Sequence, residues 1–320
     1  MARLLLPLLL TFGLALSQAS AQRSDIGLNP EHVSTYTKDK LFADALKQAE
    51  PISTPVDSNG WPTTDFTVKI GAPLWNKITD APFGTNGNHG TYRVVFNGQA
   101  AISGASVTSQ TYDAASNTTT AFINQTNPND MSLTFSNTRR TSGSPTNTGV
   151  TNLRIMRPIT AGSTTPHELH EVISRSFQQT MQPYGFIRAM DLTATNANPL
   201  VHWADRVRPG DPFQARSADG YGWQGRGIAF EYLILMANQT GKDLWICAPP
   251  RASDDFLLKL ARLFRYGSDG VNPYSSPQSN PVWPPLAPER KLYIEIGNEF
   301  WNFGGPFAAT HEWNNQQAQI

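Results

Sequence analysis

The chain has 320 residues, with 25 Lys and Arg against 25 Asp and Glu, and only 16% of its residues are charged. Zero net charge gives no electrostatic footprint for nucleic acid, a hydrophobic fraction of 39% is too high for a disordered chain, and a single Cys excludes a disulfide framework and a Cys-based zinc ribbon. Low charge together with eight Trp residues is typical of a secreted protein that binds neutral polar ligands.

The first 21 residues have the pattern of a signal peptide. Arg3 precedes an apolar run from Leu4 to Leu16, and Ala19-Ser20-Ala21 matches the small-x-small cleavage pattern. We therefore expect cleavage after Ala21 and a secreted or periplasmic protein. No later segment approaches about 18 apolar residues, so we expect no transmembrane helix.

Residues 22–64 form a lead-in with a weak helical pattern over 31–50. Residues 65–150 alternate short β-branched or aromatic segments with Gly, Asn, Asp and Ser, which predicts an antiparallel β-sandwich-like domain. The predicted strands, including one just beyond this domain, are 66–70, 92–97, 106–112, 118–123, 131–135 and 152–156.

Residues 151–320 alternate strands with helices, which predicts parallel strands joined by helical crossovers. The strands are 152–156, 185–191, 243–248 and 291–297, and the helices are 167–182, 228–238 and 254–265. An open doubly wound sheet and a (β/α)8 barrel both fit this order. No G-x-G-x-x-G follows the first strand, which disfavours a nucleotide-binding fold. The predicted fold class is α/β plus β, with a partial TIM-type barrel of about four βα units after the sandwich.

The most informative stretch is Tyr293-Ile294-Glu295-Ile296-Gly297-Asn298-Glu299-Phe300-Trp301-Asn302. A hydrophobic strand ends in Asn298 and Glu299 and is followed at once by aromatic residues. In an α/β barrel the active site lies where the carboxyl ends of the strands meet the loops. We expect a carboxylate there, beside an aromatic wall, to be desolvated, which suits a general acid. Trp301 can pack on the apolar face of a sugar ring.

This stretch resembles the acid/base strand of the large (β/α)8-barrel glycoside hydrolase superfamily, in which a Glu preceded by Asn closes strand four. Residues 243–249 and 294–302 also resemble secreted bacterial proteins with a β-rich domain before such a barrel. The resemblance implies that Glu299 is the catalytic acid/base and that Asn298 orients the sugar 2-hydroxyl. The family's second carboxylate, at the end of strand seven, has no counterpart in this chain.

Other candidate substrate-binding residues lie in loops that a barrel would bring to the same mouth. Asp191 ends the second predicted strand, and His202 and Trp203 follow it; Trp223 lies in a Gly-flanked loop. Glu295 shares strand parity with Glu299, and we expect it to form an ion pair with Arg154 or Arg188. We predict no metal and no cofactor.

The sequence thus favours a secreted glycoside hydrolase, or the N-terminal fragment of one, that acts on a polysaccharide or oligosaccharide. We expect a fragment because about 165 residues remain for a barrel that typically needs about 250. Pairing of two copies, or a loss of activity, would also account for a half barrel. The alternative function is a non-catalytic carbohydrate-binding or cell-surface protein with a vestigial barrel, and a hydrolase of another bond type is a third hypothesis.

Overall fold

Three sheets and four helices are present in the computed structural model, which describes residues 24–72, 87–214 and 225–319. The predicted signal peptide and Trp223 lie outside these ranges. The strands are β1 (Gly27–Leu28), β2 (Phe66–Ile70), β3 (Gly90–Asn97), β4 (Gln99–Ser103), β5 (Ser106–Asp113), β6 (Thr118–Gln125), β7 (Met131–Arg139), β8 (Thr151–Met156), β9 (Phe186–Arg188), β10 (Asp243–Ala248) and β11 (Leu292–Ile296). The helices are α1 (Arg175–Thr180), α2 (Phe230–Thr240), α3 (Asp254–Tyr266) and α4 (Ala308–Gln317), with 3-10 turns at Ala45–Gln48, Trp203–Asp205 and Gly305–Phe307.

Two antiparallel sheets, ordered β2-β7-β4 and β5-β6-β3-β8, share one apolar core. Strand β2 alternates buried and exposed residues, as a strand with one face on a core must. The Phe135 ring stacks on Phe66 within its own sheet at 4.6 Å and meets Phe96 of the other sheet edge-on at 5.7 Å. The six predicted strands are present in these sheets, and β4 was not predicted.

The third sheet is parallel and has the order β1-β9-β10-β11. Helices α2 and α3 contribute to the core beside it. Gly241 ends α2 with a left-handed φ of 70°, and the Ser253 hydroxyl begins α3 by accepting a bond from the Phe256 amide at 3.2 Å. These two helices confirm the predicted order of helix and strand over 228–297.

Strand β8 is not the first strand of the parallel sheet, as the sequence analysis predicted. It pairs antiparallel with β3 in the sandwich-like part. The parallel sheet instead takes β1, whose Gly27 and Leu28 pair with β9. Strand β11 is therefore still the fourth strand of this sheet in chain order, although the first strand is a different one.

The helical patterns over 31–50 and 167–182 also gave wrong expectations. Only Ala45–Gln48 and Arg175–Thr180 are helical. The backbone of residues 41–43 bonds instead to residues 157 and 172–174, with Phe42 opposite Ile173 in an antiparallel bridge. The backbone amides and carbonyls of each segment are hydrogen-bonded to the other segment, so they are not available to extend either helix.

Strand β11 ends the order of the parallel sheet, and Ile294 and Ile296 on it are 58% and 59% exposed. Their ladder partners Ile246 and Ala248 on β10 are fully buried. The same face of the sheet is thus covered over β10 and uncovered over β11. Across the described ranges, no helix combines the length and apolar character needed to cross a bilayer.

Candidate functional site

Side chains from β9, β10 and β11 meet on one face of the parallel sheet, near the carboxyl ends of the strands. Arg188 of β9 reaches across β10, where its guanidinium lies 5.0 Å from the centre of the Trp245 ring. Its Nη2 donates to Glu295 Oε2 of β11 at 3.2 Å. The ladder sets Arg188 beside Trp245 and Cys247 beside Glu295, which places all four on the same side. Arg188 is thus the partner of Glu295, as one of the two predicted possibilities stated, whereas Arg154 lies 3.9 Å from Asp44.

Asn298 is the anchor of the turn that follows β11. It is 6% exposed, its Oδ1 accepts a bond from Arg188 Nη2 at 3.0 Å, and its Nδ2 donates to Asn196 Oδ1 at 3.1 Å. Gly297 precedes it with a φ of 64°, and a Cβ at Gly297 would lie 2.3 Å from the Phe300 ring. The turn therefore needs glycine, and both ends of the Asn298 amide are bonded within the protein.

Glu299 projects from this anchored turn into solvent. Its φ is 48°, a left-handed conformation that costs a non-glycine residue energy. The carboxylate accepts a bond from the side-chain Nδ2 of Asn302 at 3.0 Å. The backbone N–H of Asn302 donates to the backbone carbonyl of Glu299 at 2.9 Å. Trp301 beside it is 73% exposed, and Phe303 is 80% exposed. The expected desolvation of Glu299 beside an aromatic wall is therefore wrong, because Glu299 and these two aromatic side chains are all exposed.

The other predicted substrate-binding residues are not gathered around Glu299 by any contact among the described residues. Asp191 is half-buried and its Oδ2 accepts a bond from Asn29 Nδ2 at 2.8 Å. His202 is exposed and precedes the 3-10 turn Trp203–Asp205 without a side-chain bond to it. The placements of these residues leave their predicted role untested.

Trp203 is a core residue, which does not fit the predicted contact with substrate. It is 4% exposed, and its Nε1 donates to the Val271 carbonyl at 2.9 Å. Its ring lies edge-on to Phe256 at 5.3 Å and under the Arg206 guanidinium at 4.3 Å. Both polar and apolar parts of the indole are thus already satisfied, and we do not retain Trp203 in the candidate site.

The loop after β9 supplies a residue that sequence reasoning missed. Asn196 is 4% exposed and holds Asn298, and the nearby Ala194 and Ala197 have left-handed φ values of 52° and 58°. Strain of this kind persists only where surrounding bonds impose it. The available signal was the run Thr193-Ala194-Thr195-Asn196-Ala197-Asn198, small and polar directly after a buried strand.

Cys247 lies under the ion pair and is fully buried. Its Sγ donates to Glu295 Oε2 at 3.5 Å. Burial, together with the Glu295 carboxylate, raises the pKa of the Cys247 thiol to about 12, so the thiol stays protonated and is a poor nucleophile. Nowhere in the described ranges do three or more His, Cys, Asp or Glu side chains come together as metal ligands.

Replacing Arg188 by Met should lower the free energy of unfolding by about 1.5–3 kcal/mol, because Glu295 and Asn298 each lose a bond to a charged donor. Urea unfolding followed by tryptophan fluorescence measures the change. The control is Arg262→Met on the exposed face of α3, which should change stability by less than about 0.5 kcal/mol. Equal effects of the two changes would show that Arg188 does not hold the site.

Comparisons with family models, with curated protein sequences and with solved structures find no match. Support for a function therefore comes from the residues of this site and their contacts.

Proposed function

We propose that the protein is a secreted glycoside hydrolase that acts on polysaccharides, with Glu299 as the general acid/base. The observation that carries the proposal is the contrast within the turn after β11. Asn298 is buried and bonded on both sides, while the adjoining Glu299 carboxylate and the Trp301 ring are exposed. A turn that Asn298 holds in place, and that presents one carboxylate and one aromatic ring to solvent, suits a sugar chain lying across the edge of the sheet.

In this proposal the residues of the turn have separate roles. Trp301 stacks on the apolar face of a sugar ring. Glu299 donates its proton to the oxygen of the scissile bond as the bond from that oxygen to the anomeric carbon breaks. The Glu299 carboxylate then takes a proton from the water that attacks this carbon, which completes hydrolysis and restores the acid. Asn302 orients the Glu299 carboxylate through its 3.0 Å bond. Because both ends of the Asn298 amide are bonded to protein, we assign Asn298 the role of a positioning residue for Glu299.

We further propose that the parallel sheet belongs to a (β/α)8-type barrel. Four parallel strands in the order β1-β9-β10-β11 support this proposal. The uncovered Ile294 and Ile296 support it too, because a further crossover helix would cover that face.

Non-catalytic glycan binding is the second candidate function. It is favoured by Glu295 and Asp191, two described carboxylates near this end of the sheet, because each is already bonded within the protein. Glu295 is bonded by Arg188 and Cys247, and Asp191 by Asn29. A glycosidase of the two-carboxylate type needs a second carboxylate free to act as nucleophile or base.

The test is to incubate the full chain with a panel of neutral soluble and insoluble polysaccharides, measuring reducing ends released and protein retained. Trp301→Ala should weaken retention by about 3- to 10-fold, because a stacked aromatic ring contributes about 0.5–1.5 kcal/mol beyond its area. The control is Val282→Ala, which removes another exposed apolar side chain, at 67% exposure, and should leave retention unchanged. Retention without release would support the second candidate. If the protein were not retained and released no reducing ends, both candidates would be overturned.

A further inference from the structure

A cavity of about 380 Å³ lies between α1, the segment that follows β8, and strand β3. Its lining includes three basic side chains, Lys40, Arg157 and His167, as well as the hydroxyl-bearing Tyr92 and Thr160. None of the described residues that line it is Asp or Glu, and none belongs to the candidate site near Glu299. The volume is in the range of pockets that hold small organic ligands.

Arg157 is the residue that most needs a partner in this cavity. It is 5% exposed, and its Nε has no hydrogen-bond partner. Its backbone fixes its position, because the Arg157 amide donates to the Ala43 carbonyl at 2.8 Å and its carbonyl accepts from the His167 amide at 2.8 Å. The guanidinium interacts with the Tyr92 hydroxyl. Within the described ranges no carboxylate is close enough to form a salt bridge with it. A buried guanidinium without a counterion is costly unless an anion joins it.

Lys40 adds a second positive charge without an ion-pair partner among the described residues. Its Nζ has one long contact, 3.4 Å to the Gly71 carbonyl. Burial and repulsion from Arg157 lower the pKa of Lys40 well below its usual value. The carboxylates that favour these charges are Asp130 for Lys40 and Asp44 for Arg157. Asp44 is already used, since it accepts bonds from the amides of residues 46 and 155.

His167 lies on the same wall, and its carboxylate partner is fully engaged. Its Nδ1 is 3.2 Å from Glu171 Oε2, and burial lowers the pKa of His167. Glu171 also accepts bonds from Arg175 Nε and from the Glu168 amide, both at 2.7 Å. Burial alone would raise the pKa of Glu171, but these bonds bring it to about 2. Glu171 therefore does not neutralise Arg157 or Lys40.

We propose that this cavity binds a small molecule through an oxyanion, a carboxylate, phosphate or sulfate group, held between Arg157 and Lys40. The unpartnered Arg157 Nε and the absence of carboxylates among the described lining residues favour an anion over a neutral or cationic ligand. The planar guanidinium of Arg binds two oxygens of a carboxylate or phosphate through paired N–H groups, and Lys adds a point charge. The site is independent of the proposed function, since none of its described lining residues belongs to the candidate site near Glu299.

Isothermal titration of the full chain at constant ionic strength tests the proposal, with inorganic phosphate, inorganic sulfate and glucuronate as probes and glucose as the neutral control. We expect saturable binding of at least one anion with a Kd at or below about 1 mM, and no binding of glucose. A preference for glucuronate over the inorganic ions would identify an organic acid as the ligand class, and the reverse order a phosphate or sulfate group.

Arg157→Met and Lys40→Met should each weaken anion binding by about 10-fold or more, since each removes a charged donor. Lys69→Met, which removes a 64%-exposed lysine of β2, should leave binding unchanged. Lys40→Met keeps the test decisive if Arg157→Met does not fold. No saturable binding of any anion by the unchanged protein up to about 10 mM would overturn the proposal. Equal binding by Lys40→Met and Lys69→Met would also overturn it.

Discussion

Replacing Glu231 by Ala is expected to lower the free energy of unfolding by about 3–5 kcal/mol, because it leaves the charge of Arg206 buried without a partner. The two side chains are 0% and 1% exposed. Arg206 donates to the two oxygens of Glu231 at 3.0 and 2.8 Å, and the Ser268 hydroxyl donates to Glu231 Oε1 at 2.9 Å. Urea unfolding of the full chain, followed by circular dichroism, measures the loss.

Two further variants separate the buried charge from simple truncation. Asp255→Ala breaks a surface pair with Lys259, and its cost should be about 1 kcal/mol or less. The double change Glu231→Met with Arg206→Met should be more stable than Glu231→Ala alone, because no charge remains buried. If Glu231→Ala cost no more than Asp255→Ala, this ion pair would not be a main support of the core around Trp203.

Elements with strong local signals could be predicted from the sequence with accurate bounds. Strand β10 begins and ends where predicted, since Pro249-Pro250 follow it. Helix α3 begins where predicted, since Ser253 marks its N-terminal cap. Strand β2 was predicted at its full extent because its alternation of apolar and polar residues is unbroken. Local propensity and the tertiary structure agree in these elements.

Long-range pairing explains the elements that could not be predicted. Strand β1 has two residues, too few for any periodicity, and it exists because Gly27 and Leu28 pair with β9. Composition and the flanking turn residues identified β8 as a strand, but they do not reveal which sheet a strand joins. The segments around residues 42 and 173 have helical spacing of apolar residues, yet their backbones bond to each other.

The contacts of the candidate site could also be predicted from the sequence only in part. The ion pair of Glu295 could be predicted because strand parity places Glu295 on one face of the sheet with Arg188. The bond from Asn298 to Asn196 could not, because Asn196 lies in an irregular loop 102 residues away along the chain. Exposure of Glu299 was also missed, since aromatic neighbours in sequence do not ensure aromatic contacts in space.

Replacing Glu299 by Gln is expected to lower kcat for polysaccharide hydrolysis by about 10²- to 10⁴-fold, the usual contribution of a general acid/base. Gln has nearly the same shape, and its carbonyl oxygen can still accept the bond from Asn302. The left-handed backbone of the turn and the anchor at Asn298 do not depend on the ionised group. Binding of the polysaccharide through Trp301 should therefore persist while the chemical step fails.

The most direct measurement compares initial rates of reducing-end release and retention on the same polysaccharide for the unchanged protein, Glu299→Gln and Glu312→Gln. Glu312 is an exposed carboxylate on α4 that accepts a bond from Gln316 at 2.9 Å, so its replacement is a matched loss of charge. We predict that Glu312→Gln keeps both properties and that Glu299→Gln keeps retention but loses the rate. A Glu299→Gln protein that releases reducing ends at the rate of the unchanged protein would contradict the assignment of Glu299 as the acid/base.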